Sequence, residues 1–114
     1  MLGEFEHVLI TTAAGLGENA YGVAIRDEME AAIQRKCSMG ALYTTMDRLE
    51  AKGLLKTWVG EATPQRGGRG KRMVRVTPLG VGAAKEFYDS ILRVSRGASW
   101  VKISWVENRM GGTS

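Results

Sequence analysis

Apolar residues recur every three or four positions in four stretches of the chain, a spacing that places them on one side of an α-helix. The first stretch covers residues 4–15, and the second follows Asn19, which the pattern predicts as its N-cap. A third runs from Ser38, a predicted N-cap, to Gly53, where glycine followed by leucine is typical of a Schellman ending. The fourth starts at Thr77-Pro78, a favourable helix start, and extends to about residue 96. The sequence therefore predicts four helices.

The runs LLKTWVG (54–60) and MVRVT (73–77) alternate between apolar and polar residues and are rich in β-forming residues. A polar, glycine-rich stretch separates them, so they are predicted to form a β-hairpin with a long loop. The segment RGGRGKR (66–72) lies on the far side of that loop. After Gly97 the tail alternates like a strand, but its apolar residues also fit a helix, and the sequence leaves both interpretations open.

Three short helices, a β-hairpin and a further helix form, in this order, the layout of a winged helix-turn-helix domain. The predicted fold class is thus mainly α with a small β-hairpin (α+β). In that architecture the third helix enters the major groove of DNA, and the hairpin loop, called the wing, reaches the neighbouring backbone or minor groove. We expect residues 1–78 to form this DNA-binding domain and residues 79–114 to form a C-terminal helix and tail.

The composition is that of a folded protein from a reducing compartment. With 114 residues, of which 44% are hydrophobic and 25% charged, the chain is expected to be globular. The lone cysteine, Cys37, suits the cytoplasm and is predicted to be a buried thiol, although Lys36 beside it leaves a redox role open. One cysteine and one histidine, His7, predict neither a metal site nor a cofactor. The apolar stretch 8–10 is too short for a signal sequence or a membrane span, so we expect a cytoplasmic protein with no membrane partner.

The net charge of +4 conceals an uneven distribution. Residues 1–50 hold four cations against eight acids, whereas residues 51–114 hold twelve cations against four acids. Residues 64–76 contain five cations and no acid. A local excess of this kind is typical of a surface that meets a polyanion, although a solvated basic loop that maintains solubility would have the same charge.

The side of the third helix opposite its apolar stripe is small, polar and flat around one arginine. Small residues let a helix approach base edges closely, an arginine can pair with guanine or a phosphate, and hydroxyls can donate to phosphate oxygens. The free backbone N–H groups at the start of the helix also favour a phosphate. We therefore predict DNA contacts by Ser38, Gly40, Tyr43, Thr44 and Arg48. The alternatives are that Arg48 pairs with a neighbouring acid, Asp47 or Glu50, and that Tyr43 packs beside the core.

The basic segment 66–72 is not a nucleotide-binding P-loop. Arg72 stands where that motif requires serine or threonine to hold the metal, and a strand follows it instead of a helix. Its strand flanks also argue against a disordered RNA-binding tail. Glycines that permit close approach and cations that attract phosphate suit the tip of a wing. The predicted DNA contacts of the wing are Arg66, Gly68, Arg69, Lys71 and Arg72.

Two tryptophans, Trp100 and Trp105, lie in the apolar tail outside the predicted winged-helix core. Large apolar side chains need a surface that covers them, and an interface between two copies of the chain is the natural place. The tail therefore favours a dimer.

Four segments carry a resemblance to a known family: LGEFEHVLI (2–10), AYGVAIRDEME (20–30), GALYTTMDRLEAKGLLK (40–56) and RGGRGKRMVRVTPLG (66–80). Together they resemble the PadR family of transcriptional regulators, in the family's order and over roughly residues 2–80. The pattern YG followed by LYxxLxRLExxGL is fairly specific within a winged-helix layout, and Met46 replaces its commoner leucine here. The part after the fourth helix resembles that of the short subgroup.

The resemblance implies a homodimeric repressor that binds a palindromic operator near its own or a neighbouring gene. It also implies that Tyr43, Thr44, Arg48 and the wing cations face double-stranded DNA. The fourth helix would then be an added dimerisation helix, and the predicted dimer interface consists of Phe87, Ile91, Val94, Trp100 and Trp105. Some members of the family respond to planar compounds such as phenolic acids and drugs, so stacking of a planar small-molecule effector is the alternative role of Trp100.

Other function classes fit the sequence less well. The runner-up is a protein-interaction module without sequence-specific DNA binding, but the outer side of the third helix lacks the apolar residues that such a contact needs. RNA binding would require an exposed aromatic platform for base stacking. An enzyme is the weakest candidate, because no nucleophile–base pair or pair of carboxylates forms a recognisable pocket motif. No catalytic residue is predicted.

Overall fold

The computed structural model describes residues 2–60 and 70–100. Its helices and strands are, in chain order, α1 (Glu4–Leu16), α2 (Gly22–Ile33), α3 (Met39–Ala51), β1 (Leu55–Val59), β2 (Arg72–Val76) and α4 (Pro78–Ser95). The two strands form an antiparallel hairpin. This arrangement of four helices and one hairpin is a winged helix-turn-helix, and it confirms the predicted α+β fold class.

Two predicted N-caps are confirmed by hydrogen bonds at the helix starts. The Ser38 hydroxyl accepts from the Ala41 N–H at 3.1 Å, and the Thr77 hydroxyl accepts from the Gly80 N–H at 3.1 Å. The Schellman ending of α3 is also present. There Gly53 has a φ of 78°, and the next N–H, that of Leu54, donates to the Leu49 carbonyl at 3.0 Å.

The prediction that Asn19 caps the second helix is wrong. Asn19 lies in a short 3-10 turn, Gly17–Asn19, and Tyr21 is the residue that precedes α2. The reason is a pairing between this connection and the hairpin, because the Val74 N–H donates to the Ala20 carbonyl at 2.9 Å. A β-bridge between Tyr21 and Met73 continues the pairing. The backbone must stay extended here, so α2 cannot begin before Gly22.

The core lies between α1, α2, α3 and one face of the hairpin. Its fully buried large side chains are Leu9, Ile10, Ile25, Met29, Leu42, Met46, Leu49 and Leu55. Cys37 is buried at the edge of this core, as predicted, and burial raises the pKa of its thiol. Burial of this set removes a large apolar area from water, and this is the main force that stabilises the domain.

The start of α4 packs tightly against the rest of the domain. A Cβ atom on Gly80 would lie 2.1 Å from the Leu54 carbonyl oxygen, so only glycine fits this contact. The Thr77 hydroxyl donates to the Gly53 carbonyl at 2.7 Å. About two turns further on, the Phe87 ring stacks on His7 of α1, with ring centroids 4.5 Å apart. Along the rest of α4, the structure shows mostly exposed or half-buried side chains.

The hairpin has two faces with different neighbours. Directly opposed residues share a face, so Thr57 and Arg72 lie on one face, whereas Trp58 and Arg75 lie on the other. The face with Thr57 and Arg72 meets α3 through side-chain contacts. In the part of the chain that the structure describes, no helix has the length and apolar character needed to cross a lipid bilayer.

Candidate nucleic-acid interface

The outward side of α3 is exposed and bears small or polar side chains. Opposite the buried stripe lie Gly40, Thr44, Asp47 and Ala51, all exposed. A Cβ atom on Gly40 would meet nothing within 4 Å, so this surface is open at the start of the helix. None of the exposed large apolar side chains lies in Met39–Ala51. A surface of this kind can approach another macromolecule closely and can make polar contacts.

Arg48 is exposed on the flank of α3 that faces α1. One turn further along α3, the Lys52 ammonium contacts the Glu6 carboxylate of α1 at 3.3 Å. The hydrogen bond from the Gly3 N–H is the main cause that lowers the pKa of Glu6, and the charges of Lys52 and Arg48 add to it. Within the described residues Arg48 makes no ion pair, whereas the acids considered as its alternative partners pair with Arg72.

Tyr43 lies on the other flank of α3, against the first residue of α2. A Cβ atom on Gly22 would lie 2.7 Å from the Tyr43 hydroxyl oxygen, so the absence of a side chain at Gly22 makes room for the phenol ring. Gly22 therefore permits close packing of α2 against α3. The ring is half-buried beside the core, and its hydroxyl lies at the edge of an open groove.

That groove separates the start of α2 from the base of the wing. It has a volume of about 240 Å³, and its lining includes Tyr21, Gly22, Tyr43 and Lys71. The Lys71 ammonium lies over the Tyr21 ring, 4.1 Å from its centroid. A cation–π contact of this kind orients the lysine beside the groove.

Arg72, the other predicted wing contact within the described residues, points toward α3. Its guanidinium pairs with Asp47, lies 3.9 Å from a Glu50 carboxylate oxygen and donates to the Thr57 hydroxyl at 3.4 Å. It also lies 5.4 Å from the centroid of the Tyr43 ring. Arg72 is thus held against α3, the helix predicted to enter the major groove.

The remaining wing residues that the sequence singled out, Arg66, Gly68 and Arg69, lie outside the described residues. The base of the wing is defined by the Gly60 N–H, which donates to the Lys71 carbonyl at 2.7 Å. A Cβ atom on Gly70 would lie 2.1 Å from the Gly60 carbonyl oxygen, so the two sides of the wing approach one another closely here.

The described residues among those predicted for a dimer interface divide into two groups. Phe87 is half-buried against His7 within the protomer. Ile91, Val94 and Trp100 are exposed, and Val94 has 80% of its surface accessible. Trp105 lies outside the described residues.

A sequence model of the family described as "Transcriptional regulator PadR-like family" matches residues 14–86, which is well over half of the chain. The chain belongs to the PadR-like family. Its members are transcriptional regulators, and the winged helix-turn-helix is their DNA-binding fold. Among curated proteins, no sequence matches this chain.

Solved structures of PadR-like and related regulators share the fold. A transcriptional regulator from Clostridium thermocellum is 19% identical, with a TM-score of 0.65 over 80% of this chain and 85% of that one. A PadR-like transcription factor from Bacteroides fragilis is 21% identical, with a TM-score of 0.63 over 93% and 88% of the two chains. RosR of H. salinarum is 20% identical, with a TM-score of 0.66 over 99% and 96%. At these identities the similarity establishes the fold.

Three features of this PadR-like site were not predicted from the sequence. Tyr21, just before α2, lines the groove and contacts Lys71. The pairing of Arg72 with Asp47 joins residues 25 positions apart, and no local pattern indicates it. Glu30 accepts a hydrogen bond from the Cys37 N–H at 2.7 Å and so fixes the segment that enters α3. An acidic residue in the last turn of a helix, where the helix dipole disfavours it, was the available signal.

Proposed function

We propose that this protein binds double-stranded DNA sequence-specifically as a homodimer and represses transcription from a palindromic operator. In this proposal α3 enters the major groove and reads base edges, and the wing contacts the adjacent backbone. Residues 1–78 serve as the DNA-binding unit, and residues 79–114 serve as the dimerisation unit. A planar effector that stacks on Trp100 would modulate binding.

The observation that carries the proposal is the outward side of α3. It is exposed and bears Gly40, Thr44 and Ala51, and Arg48, which pairs with no acid among the described residues, lies on its flank. Small residues allow the helix axis to approach the groove floor, and an arginine can donate two hydrogen bonds to guanine O6 and N7. A docking surface for a protein would be expected to present large apolar anchors, and α3 exposes none.

The groove beside α3 supports backbone contact. Its lining includes Lys71 and Tyr43, whose ammonium and hydroxyl groups are suitable donors to a phosphate oxygen. In winged-helix proteins the wing adds affinity that depends little on sequence, because phosphate contacts carry no base information.

The exposed apolar side chains of α4 support a dimer. Leu79, Tyr88, Ile91, Leu92 and Val94 are all about half exposed or more. Exposed apolar groups on one helix are typical of a helix that packs against a partner. Two protomers joined through α4 would present two α3 helices, and a palindromic operator has half-sites about one helical turn apart.

The test begins with a selection of duplexes from a randomised pool, followed by affinity measurements on the selected duplex and on a scrambled one at several salt concentrations. Arg48→Ala should reduce discrimination at one base position by about 1–3 kcal/mol. Joint replacement of Arg66, Arg69 and Lys71 by alanine should weaken binding to both duplexes and flatten the slope of log affinity against log salt. Lys56→Ala is the matched control, because it removes a cation from β1 rather than from the wing.

Two outcomes would contradict the assignment. If the wild type binds selected and scrambled duplexes equally, the protein does not read sequence. If the triple variant keeps the salt slope of the Lys56→Ala control, the wing does not contact phosphates.

The oligomeric state needs its own experiment. Light scattering after size exclusion should give a dimer for the wild type and a monomer for Val94→Asp. Val23→Asp is the control, since Val23 is an exposed valine of α2 rather than α4. A wild-type monomer at micromolar concentration would refute the proposed dimer.

A further inference from the structure

Asp47 occupies an unusual place for an acid. It lies on the outward side of α3, between Gly40, Thr44 and Ala51, and 67% of its side chain is accessible. A helix that enters a DNA groove approaches two rows of phosphates, so an unpaired carboxylate on that side opposes binding. Solubility alone does not explain an acid at the centre of such a surface, because an acid elsewhere on the protein would serve it equally well.

Arg72 pairs with this acid and is held by several partners at once. Its guanidinium contacts Asp47 and the Thr57 hydroxyl and lies over the ring of Tyr43. Only 27% of its side chain is accessible. Although Arg72 belongs to the basic segment of the wing, it cannot reach a phosphate while it keeps these contacts.

Glu50, the second acid near Arg72, has a different role. Its two carboxylate oxygens accept from the Thr57 N–H at 3.0 Å and from the Thr57 hydroxyl at 2.9 Å. Glu50 is therefore committed to joining α3 to β1. Asp47 forms no hydrogen bond within the described residues other than that from Arg72, so removal of its charge would release the arginine.

We infer that Asp47 is a specificity-determining residue for DNA, because it withholds Arg72 from phosphates and opposes binding to duplexes that offer it no donor. Binding to an arbitrary duplex depends on phosphate contacts alone, so both effects weaken it. At a cognate site a base edge can compensate Asp47, as the N4 amino group of cytosine does when it donates to a carboxylate. The ion pair thus raises the ratio of specific to non-specific affinity. This inference rests on the proposed DNA binding.

The experiment compares four proteins on the selected and the scrambled duplex over a range of salt concentrations: wild type, Asp47→Asn, Arg72→Gln and the double variant. Asp47→Asn should tighten binding to the scrambled duplex by about three- to tenfold at moderate salt and steepen its salt slope by about one, as expected for one additional phosphate contact. Affinity for the selected duplex should change less, so the specificity ratio falls.

The double variant separates release of Arg72 from a simple loss of repulsion. Without Arg72 the extra phosphate contact cannot form, so the gain in salt slope should disappear when Asp47→Asn is combined with Arg72→Gln. Glu18→Gln is the matched control, because it makes the same change in charge beside the hairpin face opposite Arg72. Since Asp47 is mostly exposed, Asp47→Asn should fold, and Asp47→Ser provides a second variant for the same comparison.

Three results would overturn the inference. The first is an Asp47→Asn protein that behaves like Glu18→Gln on the scrambled duplex, and the second is a slope gain that persists without Arg72. In both cases the wild type still prefers the selected duplex, so the proposed function stands. A wild type that binds no duplex refutes both proposals, because Asp47 would then have nothing to discriminate.

Discussion

Helices α3 and α4 both carry an apolar stripe, but only α3 buries its own. In α3 the stripe of Leu42, Met46 and Leu49 is inaccessible, and the opposite side is small and polar. In α4 only Gly80 is buried, whereas most of the large apolar side chains are exposed. The comparison separates two ways in which an amphipathic helix is used. Burial of the α3 stripe stabilises the domain and leaves the polar side of α3 exposed. The stripe of α4 is instead largely exposed itself.

The sharpest test of this contrast makes the same substitution in each helix. Leu42→Ala removes a fully buried side chain and should lower the free energy of unfolding by about 2–5 kcal/mol. Leu92→Ala removes a side chain that is 46% accessible and should cost less than about 1 kcal/mol within one protomer. Urea unfolding measures both values.

Protein concentration distinguishes the two variants further. If α4 forms the dimer contact, the effect of Leu92→Ala should grow with concentration over the range where the wild type dimerises, because association stabilises the folded state. The effect of Leu42→Ala should depend on concentration much less. Equal losses in the two variants at every concentration would show that the contrast between the helices is wrong.

Gly80 and Gly82 lie two residues apart in α4, and replacing each by alanine should change stability in opposite directions. Gly80→Ala places a Cβ atom against the Leu54 carbonyl and should destabilise the fold by about 1–3 kcal/mol. Gly82→Ala meets nothing within 4 Å and should stabilise α4 by about 0.5–1 kcal/mol, because alanine favours the helix. The midpoint temperature of thermal unfolding should therefore fall for Gly80→Ala and rise for Gly82→Ala. A shift in the same direction for both would mean that the start of α4 is not tightly packed.

The contact between α1 and α4 should make stability depend on pH. Burial lowers the pKa of the His7 imidazole, which stacks on Phe87, so the unfolded chain binds a proton more readily than the folded protein does. The contribution of this group is therefore fully present above its unfolded pKa of about 6.5 and is lost as pH falls below that value. Midpoints of thermal unfolding measured from about pH 7.5 to about pH 5 would show the effect.

His7→Gln is the variant that isolates this group. In this variant the midpoint of thermal unfolding should no longer decrease between neutral and mildly acidic pH. A decrease at lower pH should remain, because the pKa of Glu6 is also lowered in the fold. An identical pH profile in the variant and the wild type would exclude His7 as the cause.

The smallest expected effect on stability lies on the outward side of α3. Gly40→Ala adds a Cβ atom in open space and should stabilise the helix by about 0.5 kcal/mol. If α3 approaches DNA as proposed, the same variant should bind the selected duplex more weakly. Ala51→Gly makes the reverse change at the other end of this side and should destabilise the helix slightly. A Gly40→Ala protein with unchanged DNA affinity would show that close approach at this position is not required.

Features that depend on neighbouring residues were predictable from the sequence. The caps at Ser38 and Thr77 and the ending at Gly53 each involve partners within a few positions, so residue identity is sufficient to indicate them. The start of α2 was not predictable in the same way. It depends on pairing between Ala20 and β2, which is more than fifty residues away, and this long-range contact overrides the capping preference of Asn19.

The candidate site shows the same division. Spacing along α3 was enough to place Gly40, Thr44 and Arg48 on or beside one exposed side. The role of Arg72 could not be derived, because its charge is equally suited to a phosphate or to an acid, and only the register of the hairpin brings it to Asp47. Sequence thus indicates which residues are exposed on an element, whereas pairing between elements decides which charges remain free.

One hydroxyl connects the two helices compared above. The Thr77 side chain donates to the carbonyl of Gly53 just after α3 and accepts from the N–H of Gly80 in the first turn of α4. Together with the contact between Gly80 and Leu54, it fixes the angle between α3 and α4 inside a protomer. In the proposed dimer, the distance between the two α3 helices can therefore change only when whole protomers rotate about their shared α4 contact. If the proposed effector releases the dimer from DNA, this connection predicts that the two α4 helices turn against one another and that α3 keeps its place within each protomer.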